Sequence, residues 1–156
     1  TRRSSDLRKN ILIVLLTVLM VDFAYGGEVV IDCAFYRVLS VDDKTAECYL
    51  VYPYVEELNV RDVVTIDAEQ YTVVGIADGA ASVTWGEHLR TVVLPSTIKR
   101  IGYNAFLGCP DLITIQLPEG LEYIGNCAFS GCGFQKIFVP ASVFFILVMK
   151  RLMVII

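Results

Sequence analysis

Leu94-Pro-Ser-Thr-Ile-Lys-Arg-Ile-Gly-Tyr-Asn-Ala-Phe-Leu-Gly-Cys109 is followed, 23 residues on, by Leu117-Pro-Glu-Gly-Leu-Glu-Tyr-Ile-Gly-Asn-Cys-Ala-Phe-Ser-Gly-Cys132. Pro95 and Pro118, Ile101 and Ile124, Gly102 and Gly125, Ala105 and Ala128, Phe106 and Phe129, and Cys109 and Cys132 all keep that spacing. A fixed period of this length marks a solenoid, in which each unit buries its apolar side only by stacking on the next. Such a scaffold offers a surface rather than a cleft.

Within one unit, Thr114-Ile115-Gln116-Leu117 alternates apolar and polar residues with the period of two of a half-buried strand, and Thr91-Val92-Val93-Leu94 is the same strand one coil earlier. Pro95 and Pro118 have no amide hydrogen and close each strand. Gly102 and Gly125 then follow an inward Ile, where a backbone conformation that resists a side chain is expected. Stacked coils place their strands in one parallel sheet, with Thr91, Val93, Thr114, Gln116, Lys136 and Phe138 facing outward as a candidate binding face. Leu94, Ile101, Gly102, Phe106 and Cys109, with Leu117, Ile124, Gly125, Phe129 and Cys132, are the structural repeat positions. A third coil reaches Pro140 after losing one residue. A worn earlier coil is legible from Tyr71 to Ala81, with Ala77 at the Gly102 position and Ala81 at the Phe106 position. Trp85 is expected to fill the volume Ala81 leaves.

In these residues the chain resembles the BspA-like leucine-rich repeat family, whose unit is an apolar strand, Pro, a short turn, Ile-Gly, two variable residues, Ala-Phe and Cys. The expected fold is a leucine-rich-repeat solenoid, one parallel β-strand per coil with short turns or helical segments, preceded by a small antiparallel β-rich N-terminal cap. The expected organisation is a signal peptide or uncleaved anchor over 1–26, the cap over 27–71, repeats over 72–140, and an atypical apolar tail over 141–156 that reads as truncation, frame change or a divergent cap. The resemblance implies an exported or surface-displayed adhesion protein that binds an extracellular or host protein or glycan. It brings no catalytic residues and no cofactor.

The N-terminus supports export. Arg2, Arg3, Arg8 and Lys9 flank the apolar run Ile11–Val21, which suits the middle of a secretory signal and is short for a spanning helix; Ala24-Tyr25-Gly26 offers a cleavage site. Membrane contact is expected only through that segment, if uncleaved, or through the apolar tail. Beyond residue 26, nine Lys and Arg face fifteen Asp and Glu. A phosphate-binding protein needs clustered positive charge, so nucleic acid is a poor partner.

Of five cysteines, Cys109 and Cys132 share one slot of successive coils and are expected as small buried side chains stacked without a bridge. Cys127 occupies a variable slot as an odd free thiol, and Cys33 and Cys48 are candidates to pair. No Cys-x-x-Cys or His cluster suggests a metal. His88 is the sole histidine and stands in no catalytic motif. Asp42-Asp43 and Glu56-Glu57 read as solvated turns rather than a hydrolytic pair. Tyr49, Tyr52 and Tyr54 form a candidate aromatic patch for sugars or protein, or are simply half-buried on a sheet. The reading is a non-enzymatic binding module. A spacer within a longer surface protein is the alternative, and an exported hydrolase comes third.

Overall fold

The computed structural model describes residues 27–82 and 88–141. The N-terminal segment, Trp85 and the apolar tail beyond Ala141, with the expectations placed on them, lie outside the described residues. Eleven short strands are described: β1 (Glu28–Ile31), β2 (Ala34–Ser40), β3 (Thr45–Val51), β4 (Glu57–Asn59), β5 (Val63–Ile66), β6 (Glu69–Ile76), β7 (Thr91–Val93), β8 (Arg100–Ile101), β9 (Thr114–Gln116), β10 (Tyr123–Ile124) and β11 (Lys136–Phe138).

The cap begins as antiparallel hairpins. Asp32 and Cys33, between β1 and β2, have φ of 48° and 66°; Asp67 and Ala68, between β5 and β6, have 51° and 65°. Two successive left-handed residues match the twist of the flanking strands, which is why a two-residue loop suffices in each. Asp42 and Asp43 lie in the turn joining β2 to β3. Alternation along β2 sends Ala34 and Tyr36 into the core and leaves Arg37 and Leu39 exposed. The cap departs from a purely antiparallel unit at its third strand, because β3 pairs in parallel with β6. The end of β6 then pairs with β8, and β8 with β10, in the same sense. One sheet, β1-β2-β3-β6-β8-β10 with β5 beside β6, therefore runs from the cap into the coils.

A second sheet, ordered β11-β9-β7-β4, is parallel throughout. Each coil thus contributes to two ladders, not to the single sheet the alternation suggested. The second ladder is made at the Ile-Gly step by strands of only two residues. The first rung of the parallel sheet is Glu57–Asn59, inside the segment expected as cap and at a pair read as a solvated turn. Its period is hidden by the β5–β6 hairpin: 16 residues separate Val60 from Ile76, against seven between the matching Leu94 and Ile101.

Gly102 and Gly125 are needed for a reason other than the expected one. Neither has a positive φ. A Cβ at Gly102 would lie 2.6 Å from the Ala77 carbonyl carbon, and one at Gly125 2.6 Å from that of Gly102. The coils stack backbone to backbone here, closed by hydrogen bonds from Ala77 N to Cys48 O (2.8 Å), Gly102 N to Ile76 O (2.9 Å) and Gly125 N to Ile101 O (2.8 Å). The left-handed positions come two residues later, at Gly79, Asn104 and Cys127. Inside, Phe106 and Phe129 stack with centroids 5.6 Å apart and planes 3° from parallel, and Phe134 closes the stack edge-on at 5.6 Å. Ala81, whose N donates to Ala105 O as Phe106 N donates to Ala128 O, takes the Phe position in the coil before.

Gly102→Ala is expected to lower stability by ~1–3 kcal/mol, the usual range for overpacking. Gly75→Ala, whose Cβ would meet nothing nearer than 3.6 Å, is expected to cost less than half as much. Urea unfolding of the two variants checks this, and equal losses would contradict it.

Candidate functional site

Strand register decides which side chains share a surface. On the parallel sheet Glu57, Thr91, Thr114 and Lys136 are successive partners, and Asn59, Val93, Gln116 and Phe138 form the parallel row two residues on. The residues between, Leu58, Val92 and Ile115, are buried. Val93 is 47% and Phe138 54% exposed, Gln116 is exposed, and Thr91 and Thr114 are half-buried. The Lys136 side chain lies outside the described residues. Sequence reasoning missed Glu57 and Asn59; the apolar pair Leu58 and Val60, spaced like Val92 and Leu94, was the available signal.

The candidate aromatic patch is divided. Tyr49 and Tyr52 pack on Phe35, with centroids at 6.0 and 5.0 Å. Tyr54, 68% exposed at a φ of 74°, stacks instead on His88 at 5.4 Å. The Tyr49 hydroxyl donates to Glu28 at 2.8 Å; burial, then that contact, pushes its phenol up to about 12.

A row of side chains crosses the outer face of the first sheet. Glu28 pairs with Arg37, Arg37 with Glu47, Glu47 with Gly75, Gly75 with Arg100 and Arg100 with Tyr123. Glu47 is only 3% exposed and accepts from Arg37 Nη2 at 2.6 Å and Nε at 2.8 Å. Gly75 carries no side chain between Glu47 and Arg100, so Arg100 reaches across β6 to Glu47 at 3.9 Å while holding Asp78 at 2.9 Å. Arg37 lies over Tyr49 at 5.1 Å and Arg100 over Tyr123 at 5.8 Å. This network ties the cap to the second and third coils.

At the far end of β4 and β7 is a cleft of about 460 Å³. Val60 and Pro95 give it apolar surface, Asn59, Asp62 and Ser96 line it with polar groups, and the ion pair of Arg61 with Asp32 reaches over from the cap. His88 is exposed with Tyr54 as its ring partner. Among the described residues no group of three or more His, Cys, Asp or Glu is placed to hold a metal ion.

All five cysteines are free, so Cys33 and Cys48 do not pair. Cys33 sits in the β1–β2 turn, whereas Cys48 is buried on β3 opposite Tyr36. Burial pushes the Cys48 thiol up to about 12. Cys109 Sγ donates to Ala81 O and Cys132 Sγ to Phe106 O, both at 3.1 Å, so each thiol meets the carbonyl of the preceding coil. Cys127 is exposed.

Residues 84–147 match a family model described as BspA type leucine rich repeat region (6 copies). A leucine-rich repeat protein from Bacteroides ovatus is 28% identical, with a TM-score of 0.53, over 73% of this chain and 36% of its own. A leucine rich cell surface protein from Faecalibacterium prausnitzii is 19% identical, with a TM-score of 0.46, over 79% of this chain and 44% of its own. The chain thus spans well under half the length of either. No curated protein matches it significantly.

At pH 8 a disulfide reagent is expected to modify Cys127 in the native protein within minutes and Cys48 and Cys109 only on unfolding, since thiolate and access are both required. Peptide mapping of the labelled protein checks it; rapid labelling of Cys48 in the native state would refute its burial. Glu47→Ala is expected to cost ~1–3 kcal/mol, below the usual loss for a broken buried pair because both arginines keep access to water. Thermal unfolding checks this, and an unchanged midpoint would show that the network does not bind cap to coils. With Ile101, Ile124, Gly102, Gly125 and the Phe106–Phe129 stack holding successive turns in register, residues 84–147 are similar to a BspA-type leucine-rich repeat region.

Proposed function

We propose that the chain is an exported or surface-displayed, non-enzymatic binding module that uses the outward face of its parallel sheet to hold an extracellular or host protein or a glycan. The observation that carries this is the alignment of Asn59, Val93, Gln116 and Phe138 in one exposed row across four rungs. A rigid row of apolar and amide side chains with an exposed aromatic has the composition of an interface, at little ordering cost. The basic flank and apolar run before residue 22 support export.

The limited share of the Bacteroides ovatus chain that is covered, 36%, favours a second reading, a spacer in a longer surface protein. The two readings part on one experiment. The purified chain is titrated against a panel of extracellular matrix proteins and glycans, with the Phe138→Ala and Gln116→Ala variants alongside. Saturable binding that Phe138→Ala weakens about tenfold, ~1.4 kcal/mol, is the expected result. A folded chain that binds nothing on the panel would favour the spacer.

A further inference from the structure

The cleft at the end of β4 and β7 has a chemistry of its own. Asp62 is fixed by its backbone, its carbonyl accepting from Val73 N at 2.8 Å, and by Oδ1, which accepts from Val63 N at 2.9 Å. Its second carboxylate oxygen has no partner among the described residues. Asn59 donates its amide hydrogen to Glu57 Oε1 at 2.9 Å, which leaves its own oxygen as an acceptor beside the cleft. Arg61, the cation lining the cleft, is already neutralised by Asp32. The site is therefore a cleft lined by two residues with an acceptor oxygen to spare, Asp62 and Asn59, and by one carboxylate, Asp62, without an ion-pair partner among the described residues.

Apart from Lys136, on the rung of the parallel sheet farthest from β4, charge over the rest of the described residues points the same way. Arg37, Lys44, Lys99 and Arg100, like Arg61, are each committed to a carboxylate. Arg90 precedes β7, at the opposite end of the strand from Pro95, about 16 Å away over five residue steps of extended chain. A partner lying on the parallel sheet would meet Glu57 and Asn59 at the edge that leads into the cleft, and the complement to that edge is a positive group with several donors.

We propose that the cleft receives a lysine or arginine side chain from a protein partner seated across the parallel sheet, its ammonium or guanidinium held by Asp62 and the Asn59 carbonyl oxygen. This rests on the reading of that sheet as the binding face. It names the partner as a protein with an exposed basic residue and makes Asp62 the group that selects it.

The test is a titration of the ¹⁵N-labelled full chain with acetyl-trilysine amide and, in parallel, acetyl-triglutamine amide. The expected result is saturable amide shifts at Asn59, Arg61, Asp62 and Ser96 with the lysine peptide alone. Affinity should fall about fivefold or more in Asp62→Asn and stay unchanged in Asp43→Asn, whose acid lies in the β2–β3 turn outside the lining of this cleft. Each variant's free spectrum verifies its fold. Shifts spread equally over Asp42, Asp43 and Asp67, no shifts, or indifference to Asp62→Asn would each overturn the proposal. Panel binding that needs Phe138 but not Asp62 would remove the cleft assignment and leave the sheet reading standing. A cleft that titrates while no panel member binds the sheet would do the reverse, and the lysine would then come from a ligand outside the panel's chemistry.

Discussion

Backbone meets backbone at the Ile-Gly step, and the spacing of the coils follows from it. A Cβ at Gly102 or Gly125 would fall inside the van der Waals radius of the coil beneath, so the glycines set how near successive turns lie. At that distance, two-residue strands still close ladder bonds from Gly102 to Ile76 and Gly125 to Ile101. The same distance brings the Phe106 and Phe129 rings to an offset parallel contact and each Cys thiol to a carbonyl one coil back. Widening it would weaken ladders, ring stack and thiol contacts together, which is why one kind of residue recurs at this place.

The first coil shows how the same constraint is met where it starts. Ala77 stands at the glycine position, and the layer beneath it is strand β3 of the cap, whose Cys48 carbonyl accepts from Ala77 N. Glycine appears instead at Gly75 on the outer face, where an absent side chain lets Arg100 of the second coil reach Glu47 of the cap. Burial of a carboxylate is tolerated when its charge and acceptor capacity are met, and Arg37 with Arg100 meets both. Cap and coils are consequently joined by a continuous sheet on each side, through β3 and β6 on one and through β4 and β7 on the other.

What could be read in advance follows from what repeats. The strand from Thr114 to Gln116, the inward Ile101 and Ile124 and the buried Phe106 and Cys109 sit in a fixed period, and that period carries the architecture. The outward row was legible to the extent that alternation was. Glu57–Asn59 was not, because the β5–β6 hairpin interrupts the count between Val60 and Ile76. The second ladder was not, because two residues are too short for any alternation to register. The turns Asp32-Cys33 and Asp67-Ala68 carry neither Gly nor Asn, so their left-handed backbone left little trace. Tyr54 parted from Tyr49 and Tyr52 because the chain leaves the sheet after Val51 and turns toward His88. A cleft between Asp62 and Ser96 depends on residues from two coils, a juxtaposition only the stacked structure supplies.

One ladder, from the cap through the Ile-Gly steps, joins cap and coils as a single cooperative unit. Native-state hydrogen exchange at Ala77, Gly102 and Gly125 measures this most directly, because their amides bond in turn to Cys48, Ile76 and Ile101. A common opening free energy and a common denaturant dependence are expected for the three protons. Exchange of Gly102 and Gly125 through a low-energy opening that leaves Ala77 protected would contradict it, and would make the coils a separately unfolding array docked on an independent cap.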